Sequence, residues 1–289
     1  MLIESELAIE PHQTSFCRDF WLIYKRFMVT YFRNKQTSVA FIFIALMMAF
    51  LEACLFYNMG TKKFIPGAKG IQLTQNYVGL AFMLTFDAFS EMDFAQVTII
   101  PLNYNLFTRE IGNRMYNPSA YFLAQWLSAI SIFILYPIVN VSGFYFFIRF
   151  QGSSFQNYLS LVGAACLLGV CGMNFGLMLS TFLGNPDTAL VVNSAIMSLF
   201  GMGAGIVVHT GGNQTAGFMW FNHGLMYLSP WRYGCELVLR CMLNDVKHGE
   251  LLLENLSYTF GSKVCALALA GYALLYMLIG WAVLLYRSR

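Results

Sequence analysis

Six stretches of the chain are apolar over a length that would cross a bilayer, and shorter polar segments separate them. A spanning helix needs about 20 consecutive, predominantly apolar residues. The stretches that approach or exceed this length lie near residues 38–57, 77–98, 120–148, 157–183, 187–209 and 264–286. The pattern therefore predicts an all-α membrane protein with six transmembrane helices.

The segment before the first apolar stretch alternates apolar and basic residues with helical spacing, which is about 100° per residue. One side of a helix over residues 15–35 would carry Phe16, Phe20, Ile23, Tyr24, Phe27 and Tyr31, and the other side Arg18, Lys25, Arg26 and Arg33. An amphipathic helix with a basic face is suited to lie along the cytoplasmic surface of a membrane. We therefore divide the chain into a cytoplasmic tail with an amphipathic connecting helix (residues 1–36) and a six-span domain (residues 37–289).

Two connections between spans are distinctive. Residues 101–118, between spans 2 and 3, mix charged residues with amides and end at the helix-breaking pair Asn117-Pro118. Residues 210–262, between spans 5 and 6, contain an apolar segment at 218–228 that is too short to span. Such a segment is expected to re-enter the membrane or lie at its surface, packed against protein.

Basic residues and glycosylation sequons predict the same orientation. Five Lys or Arg residues lie between residues 18 and 35, before the first span, and three follow it. Basic residues beside the first span favour the cytoplasm. Asn213 and Asn255 each begin an N-x-Ser/Thr sequon within the long loop. With the N-terminus inside and six spans, this loop lies outside, and both asparagines are predicted to be glycosylated.

Composition and motifs exclude several other classes of function. The chain is 58% hydrophobic and 11% charged, whereas soluble domains carry about 25% charged residues. The net charge of +3 comes without a long basic run, which argues against a nucleic-acid partner. No segment has the G-x-x-x-x-G-K-[ST] spacing of a phosphate-binding loop. We see no metal-ligand spacing and no catalytic arrangement of Ser, His and Asp, so we expect no metal, no catalytic residue and no ATP hydrolysis by this chain.

Three motifs in this membrane context resemble the transmembrane half of subfamily G ABC transporters, the white, sterol and multidrug-resistance type of half-transporter. Residues 15–17 followed by Lys25-Arg26 resemble the connecting helix of that family. Arg109-Glu110, with Met115-Tyr116 and the start of span 3, resembles its coupling segment. Residues 229–234, Ser-Pro-Trp-Arg-Tyr-Gly, resemble the motif that follows its re-entrant loop. The resemblance implies the exporter permease fold of this subfamily.

The resemblance also implies partners that the chain itself does not contain. ATP and Mg²⁺ would act through a nucleotide-binding domain, which is either a separate polypeptide or another part of a longer product. A second permease protomer, identical or different, would complete a dimer among membrane lipids. The substrate would be a small amphipathic or lipid-like molecule, and the membrane the plasma membrane or that of an organelle. The alternative is a non-pumping scaffold or lipid-binding subunit derived from such a permease.

Candidate site residues follow from charge placement and from the resemblance. Asp87 and Glu91 lie one helical turn apart in span 2, where ionisable groups usually serve function. In the family, spans 2 and 5 line a central cavity, which suggests that Phe89 stacks on substrate. The candidates in span 5 are Asn193, Met197, Phe200 and Gly201, with Ile206 and Val207 as an outer gate, and those for coupling are Lys25, Arg26, Arg109 and Glu110. The alternatives are that the acids bond to Asn140, Asn174 or Asn193 or lie near the cytoplasmic end of the span, that the span 5 residues only pack, and that the coupling charges only solvate a loop.

Overall fold

The computed structural model describes residues 15–61, 68–150, 155–204, 224, 226–243, 253, 258 and 260–288, and the regular secondary structure in these ranges is helical. The helices are α1 (Phe16–Arg33), α2 (Lys35–Leu55), α3 (Ala68–Val97), α4 (Ile99–Gly112), α5 (Pro118–Phe133), α6 (Leu135–Ile148), α7 (Phe155–Phe182), α8 (Pro186–Gly203), α9 (Pro230–Leu243) and α10 (Ser262–Arg287). The predicted all-α class is confirmed.

Each predicted span coincides with a helix or with two consecutive helices. Within the described ranges, four segments are long and apolar enough to cross a membrane, namely Val39–Thr61, Pro118–Ile148, Phe155–Phe182 and Ser262–Arg287. Predicted spans 2 and 5 correspond to α3 and α8. These two helices are not among the four segments. Three carboxylates lower the hydropathy of α3, and the described part of α8 is only 18 residues long.

Asn-Pro pairs fix the starts of α5 and α8. The side chains of Asn117 and Asn185 accept hydrogen bonds from the backbone N–H groups of Ser119 and Asp187, each at 3.0 Å. Proline at the first helical position lacks the N–H that would otherwise need a partner. The sequence thus sets where the segment between spans 2 and 3 ends and where span 3 begins.

Helix α3 is, with α7, a central helix of the bundle, and it packs against α4, α6, α7, α8 and α9. Its contact with α7 is close because α7 presents glycines to it. A Cβ atom on Gly172 would lie 2.2 Å from the carbonyl oxygen of Phe89, and one on Gly176 would lie 2.4 Å from that of Asp93. The Gly172-x-x-x-Gly176 motif therefore brings two backbones together within one protomer.

A second cluster of buried side chains joins α1 to α4 and α5. Ile23 is buried there, with Phe107, Tyr116 and Tyr121 among its neighbours. Arg18, Lys25 and Arg33 are exposed on the other side of α1, so the predicted amphipathic helix is present. This cluster places α1 against the segment between spans 2 and 3.

Candidate functional site

An ion pair connects α1 to α4. The Arg26 guanidinium donates from Nη1 to both carboxylate oxygens of Glu110, at 2.8 and 3.1 Å. The hydroxyl of Tyr116 donates to the same carboxylate at 2.6 Å. Charge-assisted hydrogen bonds of this kind are stronger than neutral ones. One carboxylate therefore joins α1, α4 and the turn that precedes α5, and we call these three residues the coupling triad.

The surroundings of Arg26 and Tyr116 keep these two groups protonated, as the hydrogen bonds to Glu110 require. Burial lowers the pKa of Arg26, but the hydrogen bond and the charge of Glu110 offset this, so that its pKa lies above the ordinary value. Burial, together with the hydrogen bond to Glu110, raises the pKa of Tyr116. Tyr116 is therefore protonated at neutral pH and acts as a donor. The Arg26 guanidinium also lies over the Tyr116 ring, 6.0 Å from its centroid.

The four predicted coupling residues divide into two pairs. Arg26 and Glu110 meet in the ion pair. Lys25 and Arg109 are exposed, and neither forms an ion pair with a residue that the structure describes. Their coupling role stays a prediction.

The three acidic residues of α3 have different surroundings. Asp93 is fully buried and accepts a hydrogen bond from the Asn193 side chain at 2.5 Å. Asp87 is 7% exposed and interacts electrostatically with Glu52 of α2, which is 2% exposed. Glu91 is half-buried and lines a cavity described below. One of the three acids therefore has the amide partner that the packing alternative suggested.

Phe89 is buried in the core of the described protomer, so this structure does not support its predicted role in stacking on substrate. Its side chain is 0% exposed. Its ring centroid lies 6.1 Å from that of Phe175, 6.2 Å from that of Phe200 and 6.0 Å from that of Trp231. The ring is held between α7, α8 and α9, where it fills the core of the bundle.

The predicted face of α8 is also turned inward. Asn193, Met197 and Phe200 are buried, at 0%, 5% and 8% exposure. Gly201 is half-buried, and a Cβ atom there would lie 3.3 Å from the Trp231 ring. These four residues pack against the rest of the protomer, as the packing alternative held, because α8 buries this face against α3 and α9.

Replacing Phe89 with alanine is expected to destabilise the fold by about 3–5 kcal/mol, the usual cost of deleting a buried phenylalanine ring. Phe86→Ala is the matched control, since Phe86 is on the same helix but is 41% exposed. Thermal unfolding of the two purified variants in detergent measures the difference. Equal unfolding midpoints would contradict the packing role of Phe89.

A cavity of about 620 Å³ opens below the coupling triad. It lies between α1, the junction of α3 with α4, and α5. Its walls include Arg26 and Glu110 at one end and Glu91 at the other. The structure therefore brings a predicted substrate-path residue and the coupling ion pair to the same space.

Two residues of these networks were not among the predicted sites. Glu52 lies within the first apolar span, where an ionisable group is a functional candidate for the same reason as Asp87 and Glu91. Tyr116 belongs to the motif that resembles the coupling segment, but the sequence did not predict a role of its own for it. A tyrosine six residues after a glutamate has no helical relation to it, so nothing in the spacing indicated the hydrogen bond.

Several predicted features fall outside the described residues. These are the outer gate, Ile206 and Val207, the sequon asparagines Asn213 and Asn255, and most of the predicted re-entrant segment at 218–228.

Comparison with known proteins gives a consistent set of relatives. A sequence model of the ABC-2 type transporter family matches residues 18–243. Protein white of Ceratitis capitata is 26% identical over 186 residues, covering 63% of this chain and 26% of that protein. ABC transporter G family member 24 of Dictyostelium discoideum is 24% identical over 295 aligned residues, covering 96% of this chain and 24% of that protein. ABC transporter G family member 43 of Arabidopsis thaliana is 28% identical over 206 residues, covering 70% of this chain and 14% of that protein. The chain spans about a quarter or less of the length of these curated relatives.

Proposed function

Since the chain belongs to the ABC-2 type transporter family, we propose that it is the membrane-spanning permease of an ATP-driven transporter of amphipathic or lipid-like molecules. In this proposal, a nucleotide-binding domain outside residues 1–289 binds ATP and Mg²⁺ and hydrolyses the ATP. The chain itself hydrolyses none.

The coupling triad is the observation that carries this proposal. Helix α4 follows α3 after the single residue Thr98, so a displacement of α4 acts directly on a central helix of the bundle. The bidentate contact between Arg26 and Glu110 makes α1 move with α4. Lys25 and Arg109 are exposed beside this joint and offer charge to the nucleotide-binding domain.

The exposed faces of α3 and α8 support a transport path shared with a second protomer, whether identical or different. Large apolar side chains that lack cover in one protomer are Met83, Phe86 and Phe94 of α3 and Val191, Leu199 and Met202 of α8, which are 40–71% exposed. An exposed apolar surface of this kind suits an amphipathic substrate and a partner subunit. The path runs along these faces and not along the buried face that holds Phe89 and Asn193.

The protein is an integral membrane protein, and the remaining assignments extend the proposal. The plasma membrane is the proposed location, with both termini in the cytoplasm. Asn213 and Asn255 would then lie outside the cell and carry N-linked glycans.

Reconstitution tests the proposal. The purified chain alone is expected to show no ATP hydrolysis above background. With the nucleotide-binding domain that co-purifies with it, proteoliposomes are expected to move a fluorescent amphiphile only when ATP is present. Robust hydrolysis by the isolated chain would overturn the proposal. Hydrolysis by the complex without movement of any amphiphile would favour the non-pumping scaffold.

A further inference from the structure

The cavity between α1, the junction of α3 with α4, and α5 has the size of a small-molecule site. Its volume is about 620 Å³, and ligand pockets typically enclose about 300–1,000 Å³. Helix α8 contributes no lining residue to it. The cavity is therefore separate from the α8 side of the proposed path, and it shares Phe94 with the α3 side.

Aromatic rings form much of its wall. The cavity is lined by Phe27, Tyr31, Phe41, Phe94, Phe107 and Phe133. Such rings bury the apolar body of a ligand, and their faces attract a positive charge that comes within about 6 Å. The wall therefore favours a ligand that is aromatic or cationic, or both.

The charges that line the cavity do not cancel. Glu110 is neutralised by Arg26, which is the one cation among the described residues that line the cavity. The Glu91 carboxylate also lines the cavity, and among the described residues it has no hydrogen-bond or ion-pair partner. Asp87, one turn away on α3, interacts electrostatically with Glu91 and supplies no positive charge to it. A half-buried carboxylate without a partner favours a ligand that supplies a positive charge.

We propose that this cavity binds an aromatic organic cation, with the positive charge beside Glu91 and the apolar body against Phe94 and the neighbouring rings. An anion of the same shape would be repelled by Glu91. A neutral lipid tail would leave the carboxylate unpaired. The inference rests on the proposed function in one respect, since it names a class of ligand that the permease accepts.

Binding to the whole chain in lipid nanodiscs tests the inference without ATP or a partner domain. The probes are tetraphenylphosphonium and tetraphenylborate, which have nearly the same shape and opposite charges. Saturable binding is measured after subtraction of the signal from empty nanodiscs. Tetraphenylphosphonium is expected to bind at least about tenfold more tightly, because rejection of the wrong charge is a main source of specificity. Equal saturable binding of both ions would overturn the proposal.

Paired variants locate the site. Glu91→Gln is expected to weaken tetraphenylphosphonium binding by about tenfold, since it removes the unpaired charge and keeps the shape. Asp187→Asn is the control, because Asp187 is an exposed acid outside the cavity. Phe94→Ala should also weaken binding, whereas Phe155→Ala should not, since Phe155 is an exposed ring of α7 that does not line the cavity. Unchanged affinity in both Glu91→Gln and Phe94→Ala would overturn the assignment.

The experiments can disprove either proposal without disproving the other. If ATP-dependent transport by the complex is intact but tetraphenylphosphonium does not bind saturably, only the cation site is wrong. If the cation binds as described and the complex moves no amphiphile, the proposed function is wrong and the cavity remains a binding site.

Discussion

Glu110→Arg is expected to reduce ATP-dependent transport by at least about tenfold while the nucleotide-binding domain continues to hydrolyse ATP. The substitution places a second cation beside Arg26 and removes the acceptor of Tyr116. The fold should survive, because a partly exposed ion pair of this kind contributes only about 0.2–1 kcal/mol to stability; the Arg26 side chain is 41% exposed. Transport and hydrolysis are measured together in proteoliposomes that contain the complex.

The reversed pair provides the decisive control. The double variant Arg26→Glu with Glu110→Arg restores opposite charges across α1 and α4, and it is expected to recover most of the lost transport. Asp187→Arg reverses an exposed acid elsewhere in the chain and should transport normally. If the double variant is no better than Glu110→Arg, the ion pair does not transmit the motion.

Gly172→Ala is expected to cause the largest loss of stability among small substitutions in α7. The added methyl group would lie 2.2 Å from the carbonyl oxygen of Phe89, and a backbone oxygen in a central helix cannot move aside alone. Overpacking of this kind usually costs about 1–3 kcal/mol and sometimes more. Here α3 and α7 must separate, so we expect the upper end of that range. The unfolding temperature of the purified variant in detergent is the measurement.

Two other glycines of α7 calibrate this result. A Cβ atom on Gly163 has nothing within 4 Å, so Gly163→Ala should leave the unfolding temperature unchanged. A Cβ atom on Gly169 would lie 2.2 Å from the Met92 sulfur, but a methionine side chain is flexible and can move. The unfolding temperature of Gly169→Ala should therefore lie between those of Gly163→Ala and Gly172→Ala. An unfolding temperature for Gly172→Ala equal to that of Gly163→Ala would show that α3 and α7 are not closely packed there.

The sequence predicted the helices well, because long apolar stretches bounded by Asn-Pro pairs leave few alternatives. Through the family resemblance, it also grouped the basic pair of the amphipathic helix with Arg109 and Glu110 as coupling candidates. It could not choose between Lys25 and Arg26. They are adjacent in the chain and therefore about 100° apart on the helix, and only the packing of Ile23 against α5 decides which one faces α4.

The sequence was misleading for Phe89, and the reason is geometric. Residues two apart on a helix are about 200° apart in direction. Asp87 and Glu91 share a face, and Phe89, between them in the chain, points the opposite way. In α8 the same helical period places Asn193 and Met197 on the inward face and other apolar residues on the exposed face. An apolar span is apolar on both faces, so the pattern alone does not show which side is covered by protein and which by lipid or a partner.

The hydrogen bond between Asn193 and Asp93 has a consequence for how the chain is made. A carboxylate is unfavourable in a helix that inserts into lipid, and Asp93 lies in the C-terminal part of α3. The donor for Asp93 is encoded 100 residues later. Ribosomes add about 5–20 residues per second, so α3 emerges about 5–20 s before the amide that satisfies it. During this interval α3 is poorly suited to enter lipid by itself, and the insertion machinery has to hold it until α8 follows. The order of synthesis thus makes insertion of the second span the slow step of biogenesis. Substitutions at Asn193 should therefore first reduce the yield of inserted protein.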